Sequence, residues 1–143
     1  MAANASPIYS RIGAIGLNAG ATLGTTIVSD YNGTGANNAK VFTADSNNGG
    51  FVQRLRFKAL GANNAAVARI YINNGSINTS AANNSFYGEI TLPVTAASSI
   101  AAQPDVDYPL NLALPAGYQI WVGIAAASAL ASGWAVTTIA GAY

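Results

Sequence analysis

Five Asn-Asn pairs punctuate the chain, at 37–38, 47–48, 63–64, 73–74 and 83–84. Asn tolerates left-handed backbone and hydrogen-bonds its own main chain, so such pairs beside Gly, Ala or Ser mark turns. Several recur at a step of about ten residues, the turn spacing of an all-β sandwich. The segments between the pairs do not resemble one another, so the pattern is punctuation rather than a repeat.

Between the turns the side chains alternate. Leu55, Phe57 and Ala59 fall on one face of 51–60, and Arg54, Arg56 and Lys58 on the other. Ala68, Ile70 and Ile72 oppose Val67, Arg69 and Tyr71. Phe86, Gly88, Ile90 and Leu92 read as inward, against Tyr87, Glu89 and Thr91. Tyr108, Leu110, Leu112 and Leu114 share a parity and run into the turn Pro115-Ala116-Gly117. Tyr118, Ile120, Val122 and Ile124 follow, and 134–140 closes the series. With earlier strands at 22–29 and 39–44, the count is about eight. The expected fold is an all-β, two-sheet antiparallel sandwich, jelly-roll-like, with an Ig-like Greek key as the alternative strand order. The Ala-rich stretch 95–103 reads as a loop with one helical turn, and 125–132 as either loop or short helix. Residues 1–20 are irregular and rich in Ala, Gly and Ser, so they read as an extended N-terminal arm before a sandwich domain at 21–143.

Composition then removes most chemistry. The 143 residues include no Cys and no His. A thiolate nucleophile, a disulfide framework, an imidazole metal site and a Ser-His-Asp triad are therefore excluded. The net charge of +1 is too small for generic attraction to nucleic acid or membrane. The longest apolar run, 120–131, falls short of the ~20 residues of a membrane span. Residues 1–20 carry no basic start followed by an apolar core, so no secretory signal is expected. The reading is a soluble, non-enzymatic protein without a cofactor.

The remaining polar groups offer a few candidate sites. Arg54, Arg56 and Lys58 form a basic stripe; with Arg69 they hold four of the chain's six positive charges. They suit an acidic protein surface, or are neutralised across the sheet by residues such as Glu89. Asp105 and Asp107, two apart between Pro104 and Pro109, point the same way on an extended segment. They fit either a hard cation or a solvated, proline-stiffened loop. Trp121 and Trp134 with the seven Tyr suit a sugar-stacking platform or, alternatively, a core or subunit interface. Five Asn-Xaa-Ser/Thr triplets, at Asn4, Asn32, Asn74, Asn78 and Asn83, arise from an abundance of Asn and Ser.

Only 8% of residues are charged, whereas fifteen are Asn and thirty Ala. Neutral amides and small side chains are cheaper to desolvate than Lys or Glu, and interface cores are depleted in those charges. The composition suits a subunit with much of its surface covered by neighbours.

The phrases RLRFKALGANNAAVARIYINNG, NNSFYGEITLP, YPLNLALPAGYQIWVGIA and ASGWAVTTIAGAY resemble small structural proteins of tailed bacteriophages, over roughly residues 40–143. Such proteins decorate or cement the capsid. The resemblance implies a β-sandwich, often a jelly roll, that forms a homo-oligomer (dimer or trimer) and bridges major capsid protein subunits on the virion exterior after synthesis in the host cytoplasm. It implies no site residues. The expected partner contacts are Arg54, Arg56, Lys58 and Arg69, with Pro7, Ile8, Tyr9 and Ile12 of the arm reaching a neighbour. A carbohydrate- or receptor-binding module of a tail or fibre is the alternative function.

Overall fold

The structure is a computed structural model that describes residues 10–17, 23–24 and 30–143. Among the described residues eight strands form in chain order: β1 (Ile12–Leu17), β2 (Ala39–Thr43), β3 (Gly50–Ala59), β4 (Ala66–Asn73), β5 (Asn84–Leu92), β6 (Asp105–Leu114), β7 (Gln119–Ala125) and β8 (Trp134–Ala142). They make two antiparallel four-stranded sheets, ordered β1-β8-β3-β6 and β2-β7-β4-β5.

That order has a simple origin. β1 pairs with β8, β2 with β7, β3 with β6 and β4 with β5. These are the pairings of one long hairpin whose tip is the β4–β5 turn. Wrapping that hairpin lays β8 against β3 and β7 against β4, which is a jelly roll rather than an Ig-like Greek key.

The interior follows the alternation. Leu55 and Phe57 of β3, Ile70 of β4, Ile120 and Val122 of β7 and Trp134 of β8 are all fully buried. Emptying such a site, as in Phe57→Ala, costs about 3–5 kcal/mol. Alternation is interrupted at register shifts. Between Val52 and Leu55, both buried, β3 advances three residues while β8 advances two and β6 four. Each added residue is a bulge that bends the sheet and re-aims the next side chain. Asn111 on β6, with φ 47°, lies inside this irregularity.

The punctuating amides close the loops as expected. Asp45 Oδ1 accepts the Asn47 and Asn48 amides. Asn73 Oδ1 accepts from Gly75 N, and Asn74 Oδ1 from Ser76 N. The turn after β6 is closed by Tyr118 N–H to the Pro115 carbonyl, with Gly117 at φ 75°, a backbone conformation that favours glycine.

Two expectations change. Ile12–Leu17, placed in the arm by its sequence, is an edge strand paired to β8 along its whole length. Residues 1–9 and 18–20 of the expected arm lie outside the described residues. So does most of the expected strand at 22–29; of that stretch, Leu23 is buried and bridges to Trp134. Neither 95–103 nor 126–132 forms a helix, and the one helical turn among the described residues is a short 3₁₀ segment at Ala81–Asn83.

Candidate interaction surface

Register determines what becomes of the basic stripe. On the outer face of the first sheet, β3 and β6 set Lys58 opposite Asp105 and Arg56 opposite Asp107. Arg56 grips Asp107 with two parallel hydrogen bonds, Nε to Oδ1 at 2.8 Å and Nη2 to Oδ2 at 2.9 Å. Arg54 Nε lies 3.7 Å from Asp107, and Lys58 Nζ lies 3.8 Å from Asp105. Lys58 Nζ also donates to the Gln103 carbonyl. The Arg56 hydrogen bond holds the Asp107 carboxyl below the usual range, and the same bond raises the guanidinium. The stripe is thus a five-residue ion ladder. Three cations meet two carboxylates, which leaves one positive charge in excess.

Two sequence readings are corrected by this geometry. The counter-charges to Arg54, Arg56 and Lys58 are Asp105 and Asp107, whereas Glu89 pairs with Arg69 at 3.5 Å. Asp105 and Asp107 do face the same way, but toward guanidinium and ammonium groups. Among the described residues, no three potential ligands from His, Cys, Asp and Glu gather together.

Arg69 serves a different purpose from the stripe. Its outward position on β4 is buried, with 8% of the residue exposed. Nη1 donates to the Asp30 carbonyl at 3.2 Å, and the guanidinium sits 3.8 Å from the Tyr31 ring centroid. Tyr71 Oη donates to the same carbonyl at 2.8 Å. The Asp30 carboxylate in turn accepts the amide and hydroxyl of Thr34. Together these bonds clamp the segment 30–38 over the outer face of the second sheet. Gly33 packs so close to the Tyr71 ring that a Cβ there would lie 2.9 Å from it. Burial, reinforced by the charge of Asp30, pushes the Tyr71 hydroxyl up to about 12. Arg69 is therefore an internal staple rather than a free contact.

The same face gathers aromatics and amides. A bulge at Tyr87 breaks the β5 alternation, because Ile70 faces Gly88 while Tyr71 faces Phe86. Phe86, expected inside, consequently lies outside. Its ring meets Tyr31 edge-on at 5.4 Å and Tyr71 at 5.9 Å. Tyr31, Phe86 and Tyr87 are exposed, and half-buried Trp121 donates its Nε1–H to Gln119. Asn73, Asn84 and Gln119 form the adjoining row of amides. Trp134, proposed alongside Trp121 as a platform, is instead entirely within the core.

At one end of the sandwich the β3–β4, β5–β6 and β7–β8 loops meet around Asn63. Its buried amide donates to the Gly61 carbonyl, Thr95 Oγ1 and the Gly133 carbonyl, and its oxygen accepts from Ser132 N and Gly133 N. The sequence signal here was only an Asn-Asn turn; nothing in it announced a hub. The three loops (60–65, 93–104 and 126–133) contain no charged residue, yet expose Leu60, Val94 and Ile100. Ile12 is also exposed, at the start of β1. Pro7, Ile8 and Tyr9 lie outside the described residues.

Fold and surface together define the class: among the described residues, a jelly-roll β-sandwich whose charges are largely paired internally and which exposes apolar side chains at the β1 edge and at the uncharged loops, among other places. No family model, no curated protein and no solved structure matches the chain.

Proposed function

We propose that the protein is a structural component of a tailed-phage virion that binds the outer surface of the capsid and stabilises it by bridging major capsid protein subunits. The observation that carries this reading is the uncharged loop end. Leu60, Val94 and Ile100 stand exposed there, on loops that themselves contribute no ion to be desolvated against a shell. Asn63 holds the loops together before contact, so little conformational entropy is lost on docking. The resemblance of its strand phrases to small phage structural proteins is in keeping with this reading, as is the scarcity of charge. The excess cation of the ion ladder supplies a secondary polar contact. In this reading the protein resides on the virion exterior as a homo-oligomer, after synthesis in the host cytoplasm.

The test is to purify intact particles and measure this chain's copy number against the major capsid protein. A fixed stoichiometry is expected. Ile100→Asp should reduce co-sedimentation with capsids at least tenfold while leaving the fold unchanged. Absence from particles would sink the assignment.

A second reading is favoured by one observation, the exposed Tyr31 and Phe86 on the face that carries Asn84 and Gln119. Aromatic faces bordered by amides are the makings of a saccharide platform, as in a carbohydrate- or receptor-binding module of a tail or fibre. Saturable glycan-array binding that is lost in Tyr31→Ala and retained in Ile100→Asp would favour it over capsid cementing.

A further inference from the structure

A sheet edge presents unpaired N–H and C=O groups, and proteins guard it with charge, proline or bulges. Three of the four edges in this sandwich are guarded. β6 carries Asp105, Asp107 and Pro109; β5 carries Glu89 and the bulge at Tyr87; β2 carries Lys40 and a register shift beside it. The fourth is β1, whose sequence IGAIGL has neither charge nor proline. Ile12, Ile15 and Leu17 are 61%, 70% and 67% exposed. Among the described residues no strand pairs with its far side.

We propose that β1 pairs antiparallel with β1 of a second copy of this chain, about a two-fold axis through Ile15. Self-pairing at β5 or β6 would juxtapose like charges, whereas β1 meets its own image without repulsion. The axis is fixed by side-chain size and by the pleat. For both copies to keep the same outer face, opposed residue numbers must sum to an even value, and a sum of 30 sets Ile15 against its counterpart. Leu17 then faces the counterpart of Gly13, and Ala14 faces that of Gly16. Leu17, the bulky outward side chain off the axis, therefore meets a glycine. Gly13 has no heavy atom within 4 Å of the Cβ it lacks, which leaves room for the opposing leucine.

The space beside the strand suits this arrangement. A groove of about 370 Å³ runs between β1 and β2, lined by Ile15, Leu17, Lys40 and Phe42 among others. Near the axis the inward-facing residues that the incoming strand brings to it are small, Ala14 and Gly16. The two four-stranded sheets then become one continuous eight-stranded sheet, with the ion ladders at its distant ends. This is an isologous contact, which closes at two subunits.

The inference deepens the homo-oligomer part of the proposed function, but its test uses the purified full chain without capsids. A monomer in solution would leave capsid binding open, and failure to bind capsids would leave the dimer standing. Sedimentation velocity should give twice the chain mass of 14.4 kDa. Ile15→Lys, which sets two ammonium groups against each other, should raise the dimer dissociation constant at least a hundredfold with unchanged circular dichroism. Ile100→Lys, on the loop end, should leave the dimer intact. Because the chain has no cysteine, single introduced thiols report register without interference. Ile15→Cys should crosslink between copies under mild oxidation at least tenfold faster than Leu17→Cys. A monomer at high micromolar concentration, a trimer, an Ile15→Lys dimer of normal affinity, or equal crosslinking at 15 and 17 would each overturn the proposal.

Discussion

Arg56 and Arg69 occupy equivalent places in the two halves of the sandwich. Each points outward from an inner strand of its sheet, and each finds a carboxylate on the neighbouring edge strand, Asp107 on β6 and Glu89 on β5. Their circumstances nevertheless differ. The Arg56 side chain is 44% exposed and the Arg69 side chain 10%, because the segment 30–38 closes over the second sheet and nothing comparable among the described residues closes over the first. An exposed pair gains little after solvent screening and side-chain ordering. A covered one becomes part of a packed network whose members fail together. Position in a strand therefore does not determine the worth of a charge; what lies above it does.

This contrast can be broken at graded cost, read from urea midpoints at constant slope. Arg69→Ala should have the largest effect, about 3 kcal/mol, since it removes one of two donors to the Asp30 carbonyl, the partner of Glu89 and the packing against Tyr31. Gly33→Ala should cost roughly 2 kcal/mol, because a Cβ strains the positive φ of 73° and presses on the Tyr71 ring. Tyr71→Phe deletes a single hydrogen bond and should cost about 1 kcal/mol at neutral pH.

The same tyrosine gives a pH signature. Its hydroxyl ionises at about 12 when folded against 10 in the unfolded chain. The folded state therefore keeps a proton that the unfolded state loses, and stability should fall as pH rises from 10 to 12. Tyr71→Phe should flatten that limb, provided the other tyrosines are matched by comparison with the parent.

Arg56→Ala should be the mildest change, below that of Tyr71→Phe and smaller still in 1 M salt. Asp107, whose folded carboxyl is depressed, contributes stability above its unfolded value near 3.8 that is lost as pH falls through the folded value. In the Arg56→Ala protein that acid limb should shrink. An Arg56→Ala effect as large as that of Arg69→Ala would refute the distinction between the two faces.

The sequence disclosed the strands where alternation is strict and local. β3 between Leu55 and Ala59, and β7 from Ile120 to Ile124, were readable because each inward residue is apolar and two positions from the next. Phe86 was misread because a single inserted residue, Tyr87, reverses parity, and a bulge of that kind leaves no compositional trace. β1 was misread because two Gly and one Ala in six residues leave too few large side chains to show a period, and its edge position exposes both Ile15 and Leu17. The roles of Arg54, Arg56 and Lys58 depended on which strand lies alongside. That is set by the long hairpin's pairing of β3 with β6 and not by any spacing within β3. Asn63 illustrates the same limit, since its partners at Thr95 and Ser132–Gly133 are distant in sequence.

The pairing of Ile12 with Ala142 also sets an order of events in folding. The β4–β5 hairpin closes a loop of ten residues, 74–83, whereas zipping β1 onto β8 closes nearly the entire chain. Loop-closure entropy makes the second step roughly 2 kcal/mol harder to initiate than the first. Pairing should therefore spread outward from the hairpin tip, with β1 arriving last. On the ribosome β1 emerges well before β8 and must wait until that partner is made. Throughout synthesis, the uncharged strand IGAIGL is without the β8 neighbour it will finally join.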